Sequence, residues 1–151
     1  MLSNEGVYLM KKRARIYIIG RQKDLLGEED TITHDLIGQL YYKNNAYYIL
    51  YKEPAESGME GATTTIKADG KQVTINRMGT SQMKQVFEEG RNYRGIYITP
   101  YGNMDLEVHT NQVEVYLTES GGSINLKYEL TIGSEKVSSN TLQITVEEDL
   151  D

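Results

Sequence analysis

The run Tyr47-Tyr48-Ile49-Leu50-Tyr51-Lys52-Glu53 decides the fold together with three segments beyond a Gly-rich stretch: Ala62-Thr63-Thr64-Thr65-Ile66-Lys67-Ala68, Asp69-Gly70 and Lys71-Gln72-Val73-Thr74-Ile75-Asn76-Arg77. Aromatic and β-branched residues fit a pleated, half-buried surface. An Asp-Gly pair between two alternating runs predicts a hairpin with a type I′ turn, which needs φ > 0 at both central residues. The chain is therefore read as all-β.

Working outward, strand-like runs recur with turn signals at about the 8–12-residue spacing of sandwiches and barrels. They are Arg13 to Gly20, Thr31 to Lys43, Gln82 to Glu88, Tyr93 to Thr99, Leu106 to Thr110, Val113 to Leu117, Ser123 to Ile132 and Val137 to Glu147. Gly38 interrupts the second and invites a bulge or a corner bend. Gly121-Gly122 reads as a hairpin turn. The charged stretch Arg21 to Asp30 is the one connection with room for a short helix, near Asp24 to Glu29. In Ser123 to Ile132, the set Ile124, Leu126, Tyr128, Leu130 and Ile132 alternates with polar residues, which gives one buried and one wet face. Leu142, Ile144 and Val146 do the same in the last strand. Sequence-adjacent strands joined by short turns predict a single antiparallel up-and-down barrel of about eight to ten strands. Residues 13–147 form that domain. Residues 1–12 are expected to be a loosely ordered extension, since Met10-Lys11-Lys12 looks like a natural start. Residues 148–151 are expected to be a solvated acidic tail.

Composition narrows the function classes. The chain has 151 residues, 12 tyrosines, one phenylalanine and no tryptophan or cysteine, with a net charge of −6. Absent cysteine, neither a disulfide framework nor a thiolate metal site is available. A net-acidic chain is poorly suited to neutralising phosphates, so no nucleic-acid partner is expected. The apolar run behind the basic residues, Ile16 to Ile19, is shorter than the ~7–15 residues of a signal-peptide core. Nothing approaches the ~20 apolar residues of a membrane span. A soluble, cytoplasmic protein without a membrane partner is expected, with homo-oligomerisation left open.

An ordered set of residues resembles one family. It comprises Asp30-Thr31-Ile32, Gly38 with Tyr41-Tyr42, Tyr47-Tyr48 with Tyr51 and Glu53, and Gly58 with Thr63-Thr64-Thr65. Arg77 with Gly79, Met83 with Phe87 and Gly90, Thr99-Pro100-Tyr101-Gly102, and Gly121-Gly122-Ser123-Ile124 with Tyr128 and Leu130 continue it. Over Ile16 to Val146 the chain resembles the YwiB-like family of small uncharacterised bacterial proteins with a calycin-like β-barrel. The resemblance implies a fold akin to lipocalins and fatty-acid-binding proteins, and no activity. The lipocalin Gly-x-Trp signature is missing, so extracellular transport is not implied.

Parity supplies a candidate site. If Tyr47, Ile49 and Tyr51 face the core, so does Glu53; if Val73 and Ile75 do, so does Arg77. Neither charge tolerates burial alone, so the two are expected to pair with each other, with tyrosine hydroxyls or with an anionic ligand. Arginine is the natural clamp for such a ligand. The plainer reading is a structural ion pair closing the barrel. Thr99 and Tyr101 could place hydroxyls at a barrel rim, although the segment also reads as a β-turn. Tyr51, Glu53, Arg77, Thr99 and Tyr101 are thus the candidate ligand-binding residues. His34 and His109 have no metal-ligand neighbours at useful spacing, and no cofactor motif is present. His109 is expected on the wet face.

The leading expectation is a small-molecule-binding barrel taking an anionic or amphipathic ligand. The alternative is an interaction module with a tyrosine-rich outer surface, with Tyr42 and Tyr48 on the face opposite Tyr41 and Tyr47. An enzyme is the third class, since no residue pattern supplies an activated nucleophile or base.

Overall fold

The computed structural model describes residues 10–57 and 61–150. Ten strands follow one another: β1 (Met10–Asp24), β2 (Glu29–Lys43), β3 (Ala46–Lys52), β4 (Thr63–Ala68), β5 (Val73–Met78), β6 (Met83–Phe87), β7 (Asn92–Thr99), β8 (Gly102–Thr118), β9 (Gly121–Ile132) and β10 (Glu135–Glu148). They form one sheet in the order β6-β5-β4-β3-β2-β1-β10-β9-β8-β7, antiparallel throughout. The β1–β10 ladder brings the last strand back to the first. The free edges of β6 and β7 then meet and are bridged at Gln82–Ile98. The result is a nearly closed barrel, as the sequence predicted. Among the described residues, the one helical element is a 3-10 turn, Ala55–Ser57, and no helix is long and apolar enough to cross a membrane.

Several local expectations are corrected. No helix forms near Asp24 to Glu29. The Asp24 carboxylate accepts bonds from the Leu26 and Glu28 N–H groups, each at 2.9 Å, and closes a tight turn between β1 and β2. The two runs either side of Asn111 are one strand, β8, interrupted by a register shift between Thr110 and Gln112. Gly121-Gly122 opens β9, and the turn before it is Glu119-Ser120. Asp69-Gly70 is not a two-residue turn. Ala68 pairs with Val73, leaving a four-residue loop in which the Asp69 side chain accepts bonds from the Lys71 and Gln72 N–H groups. These bonds, led by the one from Gln72, hold the Asp69 carboxyl below its usual pKa. Of the central pair only Gly70 has positive φ, +91°.

The two-residue turn with positive φ at both positions is Asn44-Asn45, at 51° and 64°. It joins β2 to β3 with Lys43 opposite Ala46, so Tyr42 pairs with Tyr47 and Tyr41 with Tyr48. That register corrects the expected grouping. Tyr42 and Tyr47 pack against the core, whereas Tyr41 and Tyr48 stack on the outer face with ring centroids 4.8 Å apart.

Strand β1 begins at Met10, three residues before the expected start; residues 1–9 and Gly58 lie outside the described residues. At the other end the acidic segment is tied to the basic one. Lys12 lies 3.4 Å from Glu148 and Arg13 lies 3.1 Å from Asp149, whose N–H also donates to the Arg13 carbonyl. Opposite charge and continuation of the β1–β10 ladder explain why Glu148 and Asp149 are not a free tail.

The inward set follows the predicted parity. Ile16, Ile124, Leu126, Ile144 and Val146 are buried, and Tyr128, Leu130 and Leu142 pack against them. On the β1 side the register runs unbroken past Gly38, which marks no bulge there, while the β2–β3 ladder ends one residue away at Gln39–Leu50. A Cβ there would stand 2.3 Å from the Leu50 carbonyl oxygen and 2.6 Å from Ile16 Cδ1. The glycine lets β3 and the Ile16 side chain close over β2.

Gly38→Ala is therefore expected to lower stability by about 1–3 kcal/mol through overpacking, read as a fall in the denaturation midpoint. Gly70→Val meets no neighbouring atom but places a β-branched residue at positive φ, which should cost about 1–3 kcal/mol. An unchanged midpoint in either variant contradicts the corresponding assignment.

Candidate functional site

Three adjacent strands place three polar side chains in one inward row. Tyr51 of β3 pairs with Thr64 of β4, and Thr64 pairs with Arg77 of β5. Glu53 stands one inward position further along, just past the end of β3, where its N–H donates to the Ala62 carbonyl at 2.8 Å. Glu53 and Arg77 do meet, though not at equal height, and Thr64 is what joins them. The Thr64 hydroxyl donates to Glu53 Oε2 at 3.2 Å and accepts from Arg77 Nε at 3.2 Å. The direct Arg77 Nε to Glu53 Oε2 distance is 3.9 Å. An ion pair that long is weak in itself; the two charge-assisted hydrogen bonds through Thr64 fix the geometry. Thr64 is fully buried, and the Glu53 and Arg77 side chains are 3% and 15% exposed.

Tyr51 completes the cluster, its buried phenol within electrostatic reach of Glu53, Arg77 and Thr64. Burial pushes its pKa up to about 12; the Glu53 charge adds to the rise, while Arg77 and Thr64 oppose it. Across the barrel the Tyr128 phenol is also pushed up by burial, with Arg77 opposing. Both phenols are therefore neutral donors at ordinary pH.

Tyr51, Glu53 and Arg77 of this cluster form one wall of a cavity of about 350 Å³ inside the barrel. The remaining wall is mostly apolar, from Ile18, Ile66, Ile75, Leu142 and Ile144, with Ile32, 61% exposed, where the cavity reaches the surface. His34 also lines it, and its Nδ1 is buried with no hydrogen-bond partner among the described residues. Sequence reasoning passes over Thr64 and His34. Parity carries both: His34 lies two residues before inward Leu36 in β2, and Thr64 lies two before Ile66 in β4. Only the strand order puts them beside Arg77.

Thr99 and Tyr101 lie elsewhere. Neither lines the cavity; Tyr101 is 99% exposed at the β7–β8 turn, and the Thr99 hydroxyl is used within that turn, donating to the Gly102 carbonyl and accepting from the Tyr101 N–H. His109 alternates with buried Val108 and Thr110 and pairs with Asn92. No group of His, Asp and Glu among the described residues is arranged to hold a metal ion.

A second polar cluster sits at the other end of β5. Glu88 Oε1 accepts from Gln72 Nε2 at 2.7 Å and from the Tyr93 hydroxyl at 2.9 Å, with Arg91 and Lys71 beside Oε2. Those bonds, led by the one from Gln72, hold the Glu88 carboxyl below its usual pKa. A larger depression, about 720 Å³, runs along Arg94 to Ile96 and Asp105 to Glu107. It has no buried charged group to match the interior cavity.

Fold and site together define a ten-stranded antiparallel barrel with a polar cluster set into a mostly apolar interior cavity. The chain belongs to the family described as "Domain of unknown function (DUF1934)", which matches residues 16–144. It is 27% identical over 121 residues to the "Uncharacterized beta-barrel protein YwiB" of Bacillus subtilis (strain 168), covering 80% of this chain and 84% of that protein. The crystal structure of the Bacillus subtilis ywiB protein matches with a TM-score of 0.85 at 22% identity, covering 94% of this chain and 95% of that one. At that identity the structural likeness speaks for the fold.

The cluster makes two outcomes testable. Arg77→Met strands the Glu53 carboxylate and should cost about 3 kcal/mol, the lower end for breaking a buried pair because Arg77 keeps some exposure. Glu53→Gln combined with Arg77→Met should recover part of that loss in chemical denaturation. The raised Tyr51 pKa means that the folded state holds the phenolic proton more tightly. Its contribution is thus complete below pH 10 and is lost as pH rises from 10 towards about 12. Tyr51→Phe should flatten that alkaline loss, followed by denaturation midpoints against pH.

Proposed function

We propose that the barrel interior binds one small amphipathic ligand, its polar head against Arg77, Tyr51 and Glu53 and its apolar body against Ile18, Ile66, Ile75, Leu142 and Ile144. The observation that carries this reading is the cavity of about 350 Å³ with a buried charged cluster in its wall. Its size lies above the roughly 300 Å³ at which small-molecule pockets begin, and an apolar wall with a few convergent polar groups is their usual composition. A barrel closed only for structural reasons would be filled by side chains at this level. An anionic head is the simplest occupant for an arginine taken by itself.

The second reading, a protein-interaction surface, draws on the outer Tyr41–Tyr48 stack, with Lys67 Nζ 5.9 Å from the Tyr48 ring centroid. Exposed Tyr17 and Tyr116 belong to other strands and do not extend that stack. The interior site is therefore favoured.

A neutral fluorophore, N-phenyl-1-naphthylamine, tests the reading. Its emission should rise on one-to-one binding to the wild-type chain. It should fall sharply in Ile32→Trp, which narrows the mouth at an exposed position and so leaves the core packing intact. No rise, or a rise untouched by Ile32→Trp, contradicts interior binding.

A further inference from the structure

The polar wall of the cavity is electrically balanced before any ligand enters. Glu53 is the one carboxylate within 4.0 Å of Arg77 among the described residues, and the two charges cancel inside a largely apolar space. The hydrogen-bond count shows what remains free. Thr64 has one hydroxyl proton, which it gives to Glu53 Oε2, and it accepts from Arg77 Nε. A guanidinium has five N–H donors and a carboxylate two acceptor oxygens. Several Arg77 donors are therefore left over, and Glu53 Oε1 has no donor among the described residues. The wall presents a surplus donor edge beside a surplus acceptor, with no net charge.

We propose that the head group recognised here is a neutral donor–acceptor edge of the carboxamide or lactam type. Its carbonyl oxygen lies on Arg77 and its N–H on Glu53 Oε1. This rests on the interior-binding reading above and sharpens it, because a plain carboxylate fits the wall poorly. A carboxylate satisfies Arg77 but brings a second negative charge beside Glu53, leaving one cation to serve two anions where water is scarce. An ammonium makes the mirror-image error beside Arg77. A primary or cyclic amide meets both surplus groups and keeps the cavity neutral.

Octanamide, octanoate and octylammonium share one chain and differ only in the head, so they serve as probes, measured by calorimetry and saturation-transfer NMR on the full chain. The wild-type protein should bind octanamide about tenfold or more tighter than either ion, a difference of ~1.4 kcal/mol. Glu53→Gln leaves Arg77 uncompensated and should reverse the ranking in favour of octanoate. Octanoate or octylammonium equal to or ahead of octanamide in the wild type overturns the head-group assignment, and so does an unchanged ranking in Glu53→Gln. The wild-type ranking decides by itself if that variant does not fold. In both of those failures the interior still binds, and only the head-group assignment falls. If none of the three probes nor the naphthylamine binds, the interior-binding reading fails and takes this proposal with it.

Discussion

The β1–β10 ladder is the constraint on which the rest of the structure depends. Ten strands joined in sequence make a meander with two raw edges, and an exposed edge is a site of misassociation. Strand β1 pairs with β2 on one side and β10 on the other, each over most of its length. Ile16 thereby meets Leu36 and Val146, and Ile18 meets His34 and Ile144. Once those pairs are set, the two-residue side-chain period settles which face of every strand turns inward. The edges left over, β6 and β7, are neighbours in sequence and meet at the Gln82–Ile98 bridge.

That inward parity also creates a costly feature of the interior. It leaves no choice about where Glu53, Thr64 and Arg77 point, because Ile49, Ile66 and Ile75 on the same strands must face the core. Two charges in such a space are tolerable only when paired and hydrogen-bonded. Thr64 answers this by donating to one partner and accepting from the other. A packed apolar row would be at least as stable in many barrels. The retained polar wall, beside an unfilled volume, is what gives the interior a chemistry to offer.

Much of this was legible in the chain. Strict alternation in Ser123 to Ile132 and Thr141 to Val146 placed their inward residues correctly, and the same counting brought Glu53 and Arg77 inside. Turn chemistry was read less well. Asp69-Gly70 carries the stronger hairpin signature, yet the Asp69 side chain binds the Lys71 and Gln72 N–H groups and widens the loop to four residues. Asn44-Asn45 forms the tight turn instead, and its register turns Tyr41 outward beside Tyr48 and Tyr42 inward beside Tyr47. Thr64 and His34 were hidden for another reason: their role depends on which strands become neighbours. Thr99 and Tyr101 stand at the β7–β8 turn, outside the interior cavity, and a hydroxyl near a turn looks the same in sequence whether it serves the turn or a ligand.

The proposed ligand chamber has Tyr51, Glu53 and Arg77 as its head-group wall. Native mass spectrometry of the gently purified chain puts that proposal to the test. A second, non-covalent species one ligand heavier than the bare chain is expected, released intact on collisional activation and missing from folded Glu53→Gln/Arg77→Met protein. A bare-chain mass alone, or an adduct that persists unchanged in that double variant, would contradict it.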